Sequence, residues 1–343
     1  MSQRSVLIIY TGGTIGMVAD PRTGALRPMD LAHLEKQVPE LERIGVTLQA
    51  EAFEQPIDSS DMRPPDWVRI ARIIGANHDA FDGFVVLHGS DTMAYTASAL
   101  SFLLEGLSKP VILTGSQLPI GTIRTDAKEN LITAIEIAAA KDEQGRPMVP
   151  EVAVYFEYRL YRGNRTVKVH AERFEAFRSP NYPVLAEAGV HIRYDRAAIL
   201  PHRAGPLKVH EQVDEAVALI HLFPGISGAW VDHALSRPGL RAVVLATFGS
   251  GNAPTGPALI SALQRARDRG TVLLNVTQCV GGRVEQGRYV TSRALAAMGV
   301  VPCGDMTVEA TITKAMCLLG RTTGPEELER DMAEVLCGEM TVS

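Results

Sequence analysis

Much of what marks other protein classes is scarce in this sequence. Only four cysteines occur in 343 residues (Cys279, Cys303, Cys317 and Cys337), all in the last quarter of the chain. Their spacing matches no zinc or redox pattern, which excludes a disulfide-stapled scaffold and reads as reduced thiols of a cytoplasmic protein. No run of about 18 apolar residues is present, so no transmembrane helix is expected. The opening Met1-Ser2-Gln3-Arg4-Ser5 enters a strand without the apolar core of a signal peptide. A net charge of −5 leaves no electrostatic footprint for nucleic acid. The aromatic and basic stretch Tyr155–Arg165 is therefore expected to be strand and turn rather than a base-stacking surface. His-Glu-x-x-His, G-x-S-x-G, G-x-G-x-x-G and the P-loop lysine are all missing. His33, His78, His88 and His170 are scattered, so hydrolysis by a histidine base has no visible constellation.

What is present describes a well-cored globular protein. Hydrophobic residues make up 46% and charged residues 21% of the chain, and the length suggests about two domains. Short apolar runs alternate with helical stretches, the pattern of a mainly parallel sheet covered by helices. Strands are expected at Ser5–Tyr10, Phe84–His88, Val111–Thr114 and Val152–Phe156. Helices are expected from Pro64, over Thr92–Leu107 and over Asp126–Lys141, with Thr92 and Asp126 as candidate caps. The pattern breaks at Tyr194–Val209, which carries Pro201, Gly205 and Pro206 among charged residues and is expected to be a linker. Beyond it strands are expected at Val217–Leu222, Ala242–Thr247 and Val272–Val276, and helices at Ile226–Leu235, Pro257–Asp268 and Thr307–Leu319. The reading is two three-layer α/β domains, residues 1–193 and 210–343, joined by 194–209.

Two hydroxyl-rich segments follow strand ends, the edge of an open α/β sheet where ligands bind. In Thr11-Gly12-Gly13-Thr14 the glycines let backbone approach a ligand closely. The segment is either a site with Thr14 as nucleophile beside backbone donors, or a phosphate loop, or a plain turn. In His88-Gly89-Ser90-Asp91-Thr92, Ser90 and Asp91 offer a hydroxyl and a carboxylate; alternatively Asp91 or Thr92 simply caps the next helix. A hydroxyl needs an activating partner, and Lys168, within Tyr161–Lys168, is the candidate cation; as a lone lysine it is otherwise surface. Asp58, Ser59 and Ser60, in Pro56–Met62, offer hydroxyls and N–H groups for a carboxylate, or form an Asx- or ST-turn leading into the Pro64 helix.

Together these residues resemble the asparaginase/glutaminase family, in particular its bacterial cytosolic type I L-asparaginases. Tyr10–Gly16, Asp58–Met62, Phe84–Phe102, Leu113–Gln117, Tyr161–Lys168, Gly249–Pro254, Asn275–Cys279 and Asp305–Thr311 fit the family pattern in order, over essentially the whole chain. The resemblance implies a larger N-terminal α/β domain with a left-handed crossover and a smaller C-terminal one. It implies Thr14 as the acylated nucleophile and Ser90, Asp91 and Lys168 as the proton-handling group. Asp58, Ser59 and Ser60, with Ser90 and Asp91, would hold the α-carboxylate and α-amino groups of L-asparagine. Neither metal nor organic cofactor is implied, and a homodimer or homotetramer is, with Asn252 a candidate contributor to a neighbour's site.

Three departures from the family pattern are visible. Ser90 stands where threonine is usual. Ala25 lies near the place of a loop tyrosine. Ala246 replaces the arginine that, with the region of Thr277, Gln278 and Cys279, binds a second asparagine in some type I enzymes. The competing functions are a glutamine-leaning amidase, an amidotransferase subunit feeding ammonia to a partner, and a catalytically silent asparagine-binding sensor. The amidotransferase subunit typically carries an additional N-terminal domain, and intact Thr14, Asp91 and Lys168 speak against the sensor.

Overall fold

A computed structural model describes residues 4–19, 26–28, 34, 36–287 and 290–342 and divides the chain into two units, 1–211 and 212–343. In the first unit, eight strands form one sheet: β1 (Arg4–Tyr10), β2 (Val46–Ala52), β3 (Gly83–Leu87), β4 (Val111–Thr114), β5 (Val152–Phe156), β6 (Arg159–Arg162), β7 (Ala186–Ala188) and β8 (Ile192–Tyr194). Their order is β8-β7-β6-β5-β4-β3-β1-β2. From β2 to β5 neighbours run parallel, whereas β5 to β8 pair antiparallel. The central strands are continuous apolar runs because both faces are covered. Val6, Ile8, Val85, Ile112 and Ala153 face one side and pack against Leu131, Ala134, Ile135 and Ala138 of a helix over Ala127–Ala139. Alternate residues such as Leu7, Ile9, Val86 and Val154 are equally buried on the other face. There the helix Met93–Leu103 packs on β4 and β5, beside the helix Pro64–Asn77. In chain order these helices are α1 (Pro64–Asn77), α2 (Met93–Leu103) and α3 (Ala127–Ala139).

Some local expectations need correcting. The helix expected through Leu107 stops at Leu103, because Leu104 and Glu105 leave it to pair antiparallel with Val209 and Lys208. The His210 N–H then donates to the Leu103 carbonyl (2.8 Å), so this end of the expected linker stretch is strapped to the first unit. Neither Thr92 nor Asp126 caps its helix through its side chain. Both side chains are engaged elsewhere, as described below.

The second unit is built on a four-stranded parallel sheet, β9 (Val217–His221), β10 (Ala242–Thr247), β11 (Val272–Thr277) and β12 (Val301–Pro302), in sequential order. Among the described residues the helices α4 (Gly228–Leu235), α5 (Pro257–Asp268), α6 (Val290–Ala297), α7 (Val308–Leu319) and α8 (Pro325–Ala333) accompany it. Val243, Leu245 and Leu273 join Val231, Leu263 and Leu295 on one face, while Val244, Ala246 and Leu274 join Leu318 and Leu328 on the other. Each unit is thus a three-layer α/β sandwich, the first larger than the second. A fully buried ion pair ties down the C-terminal segment: Lys314 Nζ lies 2.7 Å from Glu339 Oε1, and the Glu339 carboxylate also accepts from the Leu336 and Cys337 N–H groups.

Candidate active site

The parallel register places Tyr10 beside Leu87, so the segments that follow β1 and β3 emerge side by side at the C-terminal edge of the sheet. Both the backbone N–H and the hydroxyl of Thr11 donate to the Leu87 carbonyl, at 3.1 and 3.0 Å. The Ile57 N–H donates to the Thr11 carbonyl at 2.8 Å, which brings the Asp58 turn to the same edge. Gly12 and Gly13 are required here. Their φ angles are +139° and +84°, and a Cβ on Gly12 would lie 2.1 Å from the Ile57 oxygen. One on Gly13 would lie 2.4 Å from the Gly89 nitrogen. The loop therefore threads between the other two segments with no room for a side chain, and delivers half-buried Thr14 at the start of the turn Thr14–Gly16.

Ser90, Asp91 and Lys168 come together although 77 residues separate Lys168 from Asp91. Lys168 Nζ donates to Ser90 Oγ at 2.9 Å and to Asp91 Oδ1 at 2.5 Å. The lysine is carried there by the turn Gly163–Arg165 and a short pairing of Val167–Lys168 with Phe177–Arg178. Gly163 lets that turn sit against α2: a Cβ there would lie 3.1 Å from the Ala97 methyl. Lys168 is 16% and Asp91 64% exposed, so the pair lies at the rim of the site and the carboxylate keeps open acceptor positions. Asp91 does not cap α2; its carboxylate holds the lysine instead.

Asp58 does form the expected turn. Its Oδ1 accepts from the Ser60 N–H (2.9 Å) and hydroxyl (2.8 Å), and those two bonds hold the carboxyl below the usual carboxylate range. Ser59 is buried against Gly89, where an added Cβ would come within 2.5 Å of the Ser59 hydroxyl oxygen.

Three residues not singled out as site residues in the sequence join the cluster. Thr92 donates its hydroxyl to the Ser59 carbonyl (2.6 Å), which fastens the Asp58 turn to the Ser90–Asp91 turn. Gln117 accepts from Ser90 Oγ at 3.3 Å, with its amide nitrogen anchored on the Ala171 and Arg173 carbonyls. Its own N–H donates to Asp126, which explains why that carboxylate is not a helix cap. Gln117 follows β4, a third strand ending at the same edge, and that position is the signal by which it is found. His88, fully buried, is the third.

The remaining expected residues lie in the second unit. Ala246 is buried near the end of β10, and its carbonyl accepts from the Gln278 side chain at 2.7 Å. Thr277 donates its hydroxyl to the Gly249 carbonyl (2.6 Å) and accepts from the Cys279 N–H (3.0 Å). Asn252 closes a tight turn, its carbonyl accepting from the Phe248 N–H at 2.8 Å. Ala25 lies outside the described residues. Among the described residues no group of three metal-ligating side chains occurs, and no helix is long and apolar enough to cross a membrane.

The first half of the chain, residues 5–200, matches the family model for the asparaginase N-terminal domain, and residues 216–332 match that for the glutaminase/asparaginase C-terminal domain. Over 345 aligned residues the chain is 45% identical to L-asparaginase 1 of Escherichia coli (strain K12), covering 99% of each. L-asparaginase I from Vibrio cholerae superposes with a TM-score of 0.89 at 41% identity, over 99% of this chain and 100% of that one. The thermostable L-asparaginase from Thermococcus kodakarensis does so with a TM-score of 0.90 at 32% identity, with the same coverage. The chain belongs to the asparaginase family.

Proposed function

We propose that this enzyme is an L-asparagine amidohydrolase, converting L-asparagine and water to L-aspartate and ammonia through an acyl-enzyme on Thr14. Hydrolysis of asparagine rests on the full-length likeness to asparaginases. The observation that carries the assignment of residues is Lys168 bonded at once to Ser90 and Asp91, beside the loop that bears Thr14.

The Thr14 hydroxyl attacks the side-chain amide carbonyl, the tetrahedral intermediate expels ammonia, and water hydrolyses the aspartyl ester. Ser90, Lys168 and Asp91 move the protons: the ammonium holds the Ser90 oxygen and the carboxylate holds the ammonium. Positioned proton transfer contributes about 10²–10⁴-fold and one oxyanion donor about 10²–10³-fold, so amide cleavage needs both. Asp91, through its open acceptor positions, binds the substrate ammonium. Donors of the turn formed by Asp58, Ser59 and Ser60 take the α-carboxylate. The first 193 residues carry the chemistry, and a second domain begins near residue 210.

The working protein is a cytoplasmic homodimer or homotetramer in which Asn252 contributes to a neighbouring subunit's site. With Ala246 in place of a cation, the region of Thr277 and Cys279 binds an asparagine effector weakly or not at all, since a charge-assisted contact is worth about 1.5–3 kcal/mol. The test is ammonia release from L-asparagine and L-glutamine, with Thr14→Ala as control. Release from asparagine that is abolished in Thr14→Ala supports the reading; release from glutamine alone, or from neither, overturns it.

A further inference from the structure

Among the described residues His88 is the one buried histidine at the sheet edge, and the chemistry proposed above does not use it. Its ring has two partners. Nδ1 lies 2.7 Å from the Gly89 carbonyl, and Nε2 lies 2.9 Å from the Thr96 hydroxyl on α2. A carbonyl only accepts, so Nδ1 carries the hydrogen, Nε2 is bare, and Thr96 donates to it. Full burial pushes the ring's pKa down to about 4, so it stays neutral and keeps this tautomer at neutral pH.

The bond to Gly89 matters because of what lies on the other side of that peptide. In a trans peptide the carbonyl and the next N–H point in opposite directions. Holding the Gly89 oxygen at the imidazole therefore turns the Ser90 N–H away from it. Among the described residues that N–H donates to no protein group. The preceding peptide, between His88 and Gly89, and the Gly89 Cα are held by close approach of Gly13, Gly115 and the Ser59 side chain. A Cβ on Gly13 would lie 2.4 Å from the Gly89 nitrogen, one on Gly115 would lie 2.3 Å from the His88 oxygen, and one on Gly89 would meet Ser59. These contacts fix where the Gly89–Ser90 peptide starts, and the imidazole at the Gly89 oxygen fixes its rotation.

We propose that His88 is a positioning residue: by holding the Gly89 carbonyl between β3 and α2 it aims the Ser90 N–H, and with it the Ser90 hydroxyl, at the reacting carbonyl of the substrate. This role rests on the asparagine-hydrolysing reading of the site. It acts on the transition state more than on the bound substrate, because the groups it aims meet charge that develops only during attack.

Two substitutions separate the ring's two nitrogens. In His88→Asn the side-chain amide nitrogen falls near the place of Nδ1 and can still donate to Gly89. In His88→Gln the amide reaches the place of Nε2 and leaves the Gly89 carbonyl unheld. Steady-state ammonia release from L-asparagine, binding of L-aspartate by titration calorimetry and thermal melting are measured for both. His88→Gln is expected to lower kcat about ten- to a hundredfold, part of what a lost oxyanion donor costs, with KM and aspartate affinity within about threefold. His88→Asn is expected to recover most of that kcat at a similarly lowered melting temperature. Equal kcat losses that track the melting temperature in both variants, or a His88→Gln enzyme with wild-type kcat, overturn the proposal. If His88→Gln does not fold, Thr96→Val carries the test: it leaves the ring held at one point, so a severalfold fall in kcat is expected and an unchanged kcat overturns the role. Wild-type protein that releases no ammonia from asparagine would instead overturn the reaction itself.

Discussion

Lys168→Met removes the positive charge that joins Ser90 to Asp91 while keeping most of the side chain's apolar length. The structure sets two very different magnitudes for its effects. For stability, the partner carboxylate of Asp91 is 64% exposed, so the ion pair belongs with surface pairs worth about 0–1 kcal/mol. In a domain of this size that shifts the melting temperature by roughly 2–4 °C at most. For catalysis, the same ammonium bonds the Ser90 hydroxyl at 2.9 Å and is the only cation bonded to both members of the group among the described residues. Losing positioned proton transfer costs about 10²–10⁴-fold in rate, or about 3–5 kcal/mol at 1.36 kcal/mol per tenfold. The assay is steady-state ammonia release from L-asparagine alongside a thermal melt of the same preparation. A kcat reduced at least a hundredfold at a nearly unchanged melting temperature is expected. A kcat within tenfold of wild type, or a melting temperature lower by more than 10 °C (a bound taken from the roughly 2–4 °C expected), would refute the reasoning.

Ser90→Thr restores the usual family residue and adds one methyl, worth roughly 0.8 kcal/mol of packing, so turnover should change by no more than severalfold; a thousandfold rise would show that the serine is a crippling change. Burial would raise the Glu339 carboxyl, but Lys314 and the Leu336 and Cys337 N–H groups outweigh it and hold it below the ordinary value. Its contribution to stability is therefore complete above the unfolded glutamate pKa near 4.3 and disappears as the pH falls through the lower folded value. Glu339→Gln should cost about 3–5 kcal/mol at neutral pH, because it leaves Lys314 buried without its counter-charge, and should flatten the acid limb of a stability–pH curve; an unaltered acid limb contradicts this. Without a cation at Ala246, the rate curve for asparagine should be hyperbolic, and a clearly sigmoidal curve would speak against the weak effector site.

The central strands are legible in the sequence because burial on both faces makes them unbroken apolar runs, as in Phe84-Val85-Val86-Leu87. The outer strands are not. β2, β6, β7 and β8 are short or carry exposed polar residues, such as Gln49, Glu51, Arg159 and Glu187, and only pairing with a neighbour defines them. Helix ends are misjudged where tertiary contacts compete, as at Leu104, which leaves α2 to meet Val209. In the site, the segments after β1 and β3 are legible as hydroxyls beside glycines at strand ends. The lysine is less so: its proximity to Ser90 depends on a turn packed under α2, and residue spacing says nothing of that. Thr92 and His88 show a different limit. Their types suggest a cap and a stray histidine, and only the fold reveals that their polar atoms stitch backbone segments together.

The most direct test of the account is to mix the enzyme with L-asparagine, quench in acid within the first turnovers, and map the peptides by mass spectrometry. An aspartyl group in ester linkage on the peptide containing Thr14, absent in Thr14→Ala, is the predicted result. Ammonia release with no acylated peptide, or with the label on another residue, would contradict the threonine nucleophile.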